Sequence, residues 1–471
     1  MSAKADPKTR TIALVVAATM FMAQLDGAVL ATALPRMALD FGVTPVDLSL
    51  AITVYLASLV AFLPASGWLA DNYGARRIFT GAILLFGAAS ILCAFSTGFW
   101  PFIAARVVQG IGASLMTPVG RLVLLRTTPK DQLVSAITIT TMPMLMAPTF
   151  GPPIGGFLVT YASWPWIFLL NVPIALATFF IAVRLIPTLE PEERGRLDLF
   201  GLVVVSCSLG ALLFGLDQVR NPESVVIGIT LLAAGCVLMV VAIRHLRRDA
   251  APIISLEPIA NHTFRICTVS GGALIRLPLR ALPFLLPIFF QIHFGMNAFT
   301  AGLLLLVLNF GDLILKPAAR FAYRTWGFRT VLTGSALAGA ATVFALTTFG
   351  PGTSLWVIIT ILALSGMARS LLFTGITVLA YDDLEERLIS PANVLMNMNQ
   401  QVTSALAVSL SALLLALGPA LRGDSSQAAS IGDFHMTFLV FGGIATLAGL
   451  SLMRLSANAG AESSGRPSNS A

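Results

Sequence analysis

The chain alternates long apolar runs with short polar or basic loops, and the length of the runs sets the architecture. A helix needs about 20 apolar residues to cross the hydrocarbon core of a bilayer. Runs of that length begin near residues 12, 48, 78, 101, 135, 165, 198, 224, 266, 300, 329, 354, 397 and 434, and they predict about fourteen membrane-spanning helices. Strands of a membrane barrel would be about ten residues long and would alternate apolar with polar positions. These runs do neither, so the expected fold class is an all-α integral membrane protein.

The loops give the orientation. One set carries Lys4, Lys8 and Arg10, then Arg76 and Arg77, Arg126 and Lys130, Arg194 and Arg196, Arg244, Arg247 and Arg248, Arg320, Arg324 and Arg329, and Arg387. The alternate set holds little beyond Arg36, Arg220 and Arg422. Positive loops stay inside, so the first set and both termini are expected in the cytoplasm, with the chain in the plasma (inner) membrane. An even number of crossings agrees. The expected division is a cytoplasmic N-terminus over 1–11, a six-helix bundle over 12–187 and two inserted helices over 198–244. A cytoplasmic loop over 245–265, a second six-helix bundle over 266–454 and a disordered cytoplasmic tail over 455–471 complete it.

Composition supports lipid as the solvent. Hydrophobic residues make up 56% of the 471 and charged residues only 11%, against roughly 25% charged in a soluble domain. The net charge of +7 sits mostly between apolar runs, which speaks for membrane topology and not for nucleic acid. Cys93, Cys207, Cys236 and Cys267 lie far apart without metal-ligand spacing, and the four histidines are scattered. No metal or cofactor is expected. The first apolar run is span-length with no small-residue cleavage site after it, so no cleavable signal peptide is expected. A phosphate-binding GxxxxGK[ST] loop is absent, which disfavours an ATP-driven pump. No nucleophile with its base and no paired acids stand out, which disfavours a membrane enzyme. A passive channel has no support from the repeat and the buried acid described next.

Two stretches echo each other. LPASGWLADNYGARRIFTG (Leu63 to Gly81) and LKPAARFAYRTWGFRTVLTG (Leu315 to Gly334) run in step once Gly74 is set on Gly327. Pro64 then meets Pro317, and Arg76 meets Arg329. Both fall at the end of the second helix of a six-helix set. Repeated halves are how many transporters alternate access to a central site.

Four motifs in the first half carry chemistry. Asp26 lies within FMAQLDGAVLATALP; a carboxylate at mid-helix costs roughly 2.5–3.5 kcal/mol on insertion scales, so it should face protein or water. It reads as a group that binds and releases a proton as its surroundings change, or as a polar lock between helices. RVVQGIGAS supplies Arg106, a cation that cannot lose its charge, and Gln109, a buried amide. GWLADNYGARR closes the second span with a glycine turn, Asp71 and two arginines; Asp71 can latch onto a helix N-terminus or an arginine across the gap between halves. APTFGPPIGGF puts prolines and glycines inside the fifth span, where they bend a helix and admit a close neighbour.

Together these stretches resemble the major facilitator superfamily, specifically its fourteen-span drug:proton antiporters. LDGAVLATALP, GWLADNYGARR, RVVQG and GPPIGG occur in the family's order on the expected helices, and SWPWIFLLNVP and RLDLFG also look like this family. The resemblance implies two six-helix halves plus two inserted helices. It implies Asp26 and Arg106 as the proton-coupling pair and Gly67, Asp71, Gly74 and Arg76 as the cytoplasmic gate. Gly151, Pro152, Gly155 and Gly156 become the antiporter signature. The sequence departs from the pattern at Asn72 and Ala75, where basic residues are usual, and at Gly27-Ala28 and Ala31-Thr32 in the first span. The second half matches mainly by length and span count.

That half has features of its own. Arg276 and Arg280 are i, i+4 on one helix face, Arg369 lies in the twelfth span, and Asp312 and Lys316 are i, i+4 on the tenth. Asp312 could neutralise one of the first two arginines. Two readings stay open: a structural ion-pair cluster, or a cavity with Gln109 and Asn397 that prefers anionic or zwitterionic compounds. The Met142, Met144 and Met146 run reads as core filler before pocket lining. The expected function is a proton-coupled exporter of small molecules working by alternating access. The alternative is an exporter of an anionic or zwitterionic metabolite using Arg276 and Arg280. The expected partners are substrate, protons and membrane lipid, with the chain a monomer.

Overall fold

Long uninterrupted helices follow from apolar runs flanked by caps and glycine turns, and a computed structural model describes them for residues 6–129, 132–188, 197–219, 224–249, 252–422, 429–456 and 459–460. Lys4, Lys130, Arg194, Arg196, Arg220 and most of the tail lie outside the described residues. Among the described residues the regular elements are all helical. Thirteen helices or helix pairs are long and apolar enough to cross a membrane. Leu133–Tyr161, with 29 residues and a rise of about 1.5 Å each, is a fourteenth helix of spanning length. The chain is a multi-pass membrane protein.

The first compact unit comprises residues 1–253 and 297–302. Its helices are α1 (Pro7–Phe41), α2 (Pro45–Leu48), α3 (Leu50–Phe62), α4 (Ala65–Tyr73), α5 (Ala75–Ala94), α6 (Phe99–Thr127), α7 (Leu133–Tyr161), α8 (Pro165–Leu169) and α9 (Asn171–Leu185), followed by α10 (Leu199–Gln218) and α11 (Val225–Arg248). α1 starts five residues before its apolar run because Asp6 caps it: the carboxylate accepts from the Thr9 N–H at 2.6 Å and Pro7 fills the first turn. The core of the first half joins Val16, Phe79, Phe86 and Met116. Helices cannot be driven together by hydrophobicity in lipid, so small residues and close packing do it. The inserted helices pack on one another and α10 lies on α3, where the Ser206 hydroxyl donates to the Ala61 carbonyl at 2.9 Å. Along α11, Val226, Ile227, Ile229, Val237 and Val240 stay exposed. In a bilayer that surface meets acyl chains.

The second unit comprises residues 254–296 and 303–471. Its helices are α12 (His262–Thr268), α13 (Gly271–His293), α14 (Ala298–Trp326) from residue 303 onward, α15 (Phe328–Ala345), α16 (Leu355–Asp382), α17 (Glu386–Arg422) and α18 (Ile431–Leu452). Its core includes Phe264, Leu332, Leu372 and Leu452, with Tyr323 stacked on Phe328 at 4.3 Å. α17 begins eleven residues before the apolar run that announced it, because its first turns are polar.

The repeat is visible in the backbone. Gly74 and Gly327, aligned by sequence, have φ of 91° and 79° between consecutive helices. Gly42 and Gly295, with φ of 67° and 62°, each lie 32 residues before their partner glycine. A side chain is strained in this region, so the same turns are built at the same spacing in both halves.

Candidate functional site

In the first unit, four helices bring polar side chains to one buried point. Asp26 on α1 is 1% exposed and Arg106 on α6 is 0% exposed. Arg106 Nη1 donates to Asp26 Oδ2 at 2.6 Å and to Gln109 Oε1 at 2.6 Å. Gln109 Nε2 donates to Asp26 Oδ1 at 2.9 Å and to Ser90 Oγ on α5 at 2.9 Å. Asn171, at the start of α9, donates to Asp26 Oδ1 at 3.2 Å. Arg106 also donates from Nε to the Ala51 carbonyl at 3.3 Å and lies over the Tyr55 ring at 4.3 Å. Its Nη2 is buried with no hydrogen-bond partner. Sequence reading singled out Asp26 and Arg106 and missed Asn171, Ser90 and Tyr55; Gln109, expected as a buried amide and as a cavity residue with Asn397, spends its hydrogen bonds on Arg106, Asp26 and Ser90. Asn171 and Ser90 sit alone in apolar runs, and that isolation was the available signal.

Glycines let these helices meet. A Cβ on Gly110 would collide with the Tyr55 carbonyl and come 2.9 Å from Ser58 Cβ. One on Gly112 would come 2.9 Å from the Phe86 backbone nitrogen. α7 crosses α1 in the same way: added carbons on Gly151 and Gly155 would reach Ala28 Cβ at 2.6 Å and Val29 Cγ1 at 2.5 Å. Pro152 and Gly156 are buried on the same helix, which carries Pro143, Pro148, Pro152 and Pro153 without ending. The antiporter stretch therefore packs within one turn of Asp26. Met142 and Met146 are exposed, not core filler, because they fall on the opposite face of α7 from these glycines.

The gate residues gather at the α4–α5 turn, held open by Gly74. Asp71 pairs with Arg126 on α6 at 2.9 Å. Arg126 belongs to the same unit, so the latch observed here is internal to it. Arg76 donates to the Val183 carbonyl in the last turn of α9 and to Thr188 Oγ1, just after that helix, at 3.1 Å. Gly67 has open space where a side chain would stand.

In the second unit, Asp312 pairs with Arg369 at 3.3 Å and not with Arg276 or Arg280. Asp312 and Arg369 lie on α14 and α16, and the Asn309 amide oxygen joins them at 2.6 Å from Arg369 Nη2. Arg276 instead donates to the Cys267 carbonyl at 3.1 Å and to Met396 Sδ at 3.0 Å. Arg280 lies with its guanidinium carbon 5.4 Å from the centre of the Phe373 ring. Asn397 donates back to Asn393 on its own helix. The four cysteines are free thiols.

Outside the spans, Asp198 caps α10 through the Gly201 N–H at 2.7 Å and also accepts from the Ile253 N–H at 3.2 Å. His245 Nε2 lies 2.7 Å from Asp198 Oδ1, the oxygen that also accepts from Gly201. Burial pushes the Asp198 carboxyl upward, but these donors outweigh it and hold the group below the usual carboxylate range.

Comparison with known proteins gives the arrangement its family. The Major Facilitator Superfamily profile matches residues 16–408. Multidrug resistance protein MdtD of Pectobacterium carotovorum is 36% identical over 432 residues, covering 90% of each chain. MdtD of Cronobacter sakazakii is 35% identical over 425 residues, covering 90% of this chain and 89% of its own. The crystal structure of a POT family transporter in complex with a thioalcohol-conjugated peptide superposes with a TM-score of 0.70 at 14% identity, covering 94% of both chains, which speaks for the fold alone. The chain belongs to the major facilitator superfamily and is a membrane transporter of small molecules, not an enzyme.

Proposed function

We propose that the chain is a proton-coupled exporter of drug-like small molecules, working by alternating access in the plasma membrane with both termini cytoplasmic. The observation that carries this reading is the buried Asp26–Arg106 pair, closed by Gln109 and packed at glycine-lined helix crossings. A proton on Asp26 neutralises the partner of a cation that cannot itself deprotonate. Arg106 must then find other acceptors, and its Nη2 already lacks one. The helices carrying the pair shift, and the ionised pair re-forms when the proton leaves on the other side. The relatives named for multidrug resistance support small-molecule export. The basic loops support the orientation. In this reading the chain acts as a monomer, and the driving force is the proton gradient and not a bound cofactor.

The test uses proteoliposomes with an imposed pH gradient, an internal pH-sensitive dye and a panel of cationic, neutral and anionic compounds. Substrate-triggered collapse of the gradient is expected in wild type and is expected to vanish in Asp26→Asn. Equal coupling in the mutant would reduce Asp26 to a packing residue and remove the proposal's basis.

A further inference from the structure

On α13, α14 and α16, arginines outnumber acids among the described residues. Arg276, Arg280 and Arg369 lie on spanning helices, and the acid bonded among them is Asp312, which is taken by Arg369. Arg276 is 1% exposed and spends its hydrogen bonds on a carbonyl and a thioether. Arg280 lies within electrostatic reach of both other arginines. It has no acidic partner among the described residues, and its Nε is buried without a hydrogen bond. The Nε atoms of Arg276 and Arg369 are buried and unpartnered too. Lys316, one turn beyond Asp312, adds a further cation. An unpaired charge in a spanning segment is costly, and such residues mark substrate paths.

We propose that Arg280, flanked by Arg276 and Arg369, binds the acidic head of an organic anion whose apolar body lies against Phe373. A guanidinium stays charged and presents a planar fork that matches a carboxylate, sulfonate or phosphate. Arg280 is half-buried as a residue, and its Nε is buried without a hydrogen bond to occupy it. The Phe373 ring offers an apolar wall beside that charge. A lipophilic cation placed there would meet three like charges against one acid, so the same residues that hold an anion reject a cation. The substrate class rests on the exporter reading; the binding site stands on the second unit alone.

The test is equilibrium dialysis of radiolabelled benzoate against the full-length protein in nanodiscs of neutral phosphatidylcholine. Saturable binding is expected, competed by benzenesulfonate and phenyl phosphate but not by benzamide or benzylammonium. Arg280→Gln is expected to weaken it about ten- to a hundredfold, the loss of charge-assisted hydrogen bonds. Arg280→Lys keeps the charge and recovers part of the affinity, which guards against a misfolded glutamine variant. Absence of saturable binding by any of the three anions overturns the proposal, as does unchanged affinity in Arg280→Gln. Competition by benzylammonium equal to that by the anions also overturns it. Protection by phosphatidylglycerol alone would make the arginines a lipid site and overturn the substrate assignment. Benzoate binding without gradient collapse in proteoliposomes would sink the exporter reading and leave the site. Collapse driven by benzylammonium, with no benzoate binding, would do the reverse.

Discussion

The Asp26–Arg106 pair can be weighed by a double-mutant cycle. Asp26→Asn leaves Arg106 charged at 0% exposure, facing an amide in place of a carboxylate. Breaking a buried pair by removing one partner costs about 3–5 kcal/mol, mostly the charge left behind. Here the Gln109 and Ala51 oxygens still accept from Arg106, which places the cost toward the lower end. Arg106→Gln strands the carboxylate, but Gln109 and Asn171 still donate to it. The double variant holds amides only and strands no charge. Its destabilisation is therefore expected to fall short of the sum of the singles by about 2–4 kcal/mol. Unfolding equilibria in mixed micelles, titrated with SDS and followed by tryptophan fluorescence, read all four corners. Additivity within about 0.5 kcal/mol would show that the two groups do not stabilise one another and would refute the reasoning.

Two further outcomes follow from local geometry. Gly110→Ala places a carbon against the Tyr55 carbonyl and Ser58, so α3 and α6 must separate; a loss of about 1–3 kcal/mol is expected on the same SDS titration, whereas Gly67→Ala, with open space, stays within about 1 kcal/mol. Asp198, held below the usual range, contributes stability that is present above its unfolded value near 3.9 and is lost as pH falls through its lower folded value. Thermal melts are expected to lose that acid-side decline in Asp198→Ala, with about 1 kcal/mol given up at neutral pH for the missing cap; an unchanged acid limb would show the carboxylate to be idle.

Much of this protein was legible before any coordinates. Run length and loop charge are local properties, so the number of spans, the helical class and the residues able to carry charge inside the membrane follow from the chain itself. Asp26, Arg106 and Gln109 were legible for the same reason: polar atoms in an apolar run need partners, and few were on offer. Gly74 and Gly327 were legible as a repeat, and their shared positive φ shows why glycine stands at both.

Partner choice was decided by the tertiary structure. Asp71 pairs with Arg126 inside its own unit, and Asp312 takes Arg369 in preference to Arg276 or Arg280. Asn171 and Ser90 complete the buried network from helices far away in sequence. Met142 and Met146 are exposed and not in the core. Each of these depends on how a helix is rotated about its axis and how far it slides along its neighbour. Hydropathy in a membrane carries little of that information, because lipid and protein interiors are nearly equally apolar and the faces of a spanning helix look alike until small residues and polar pairs lock them together.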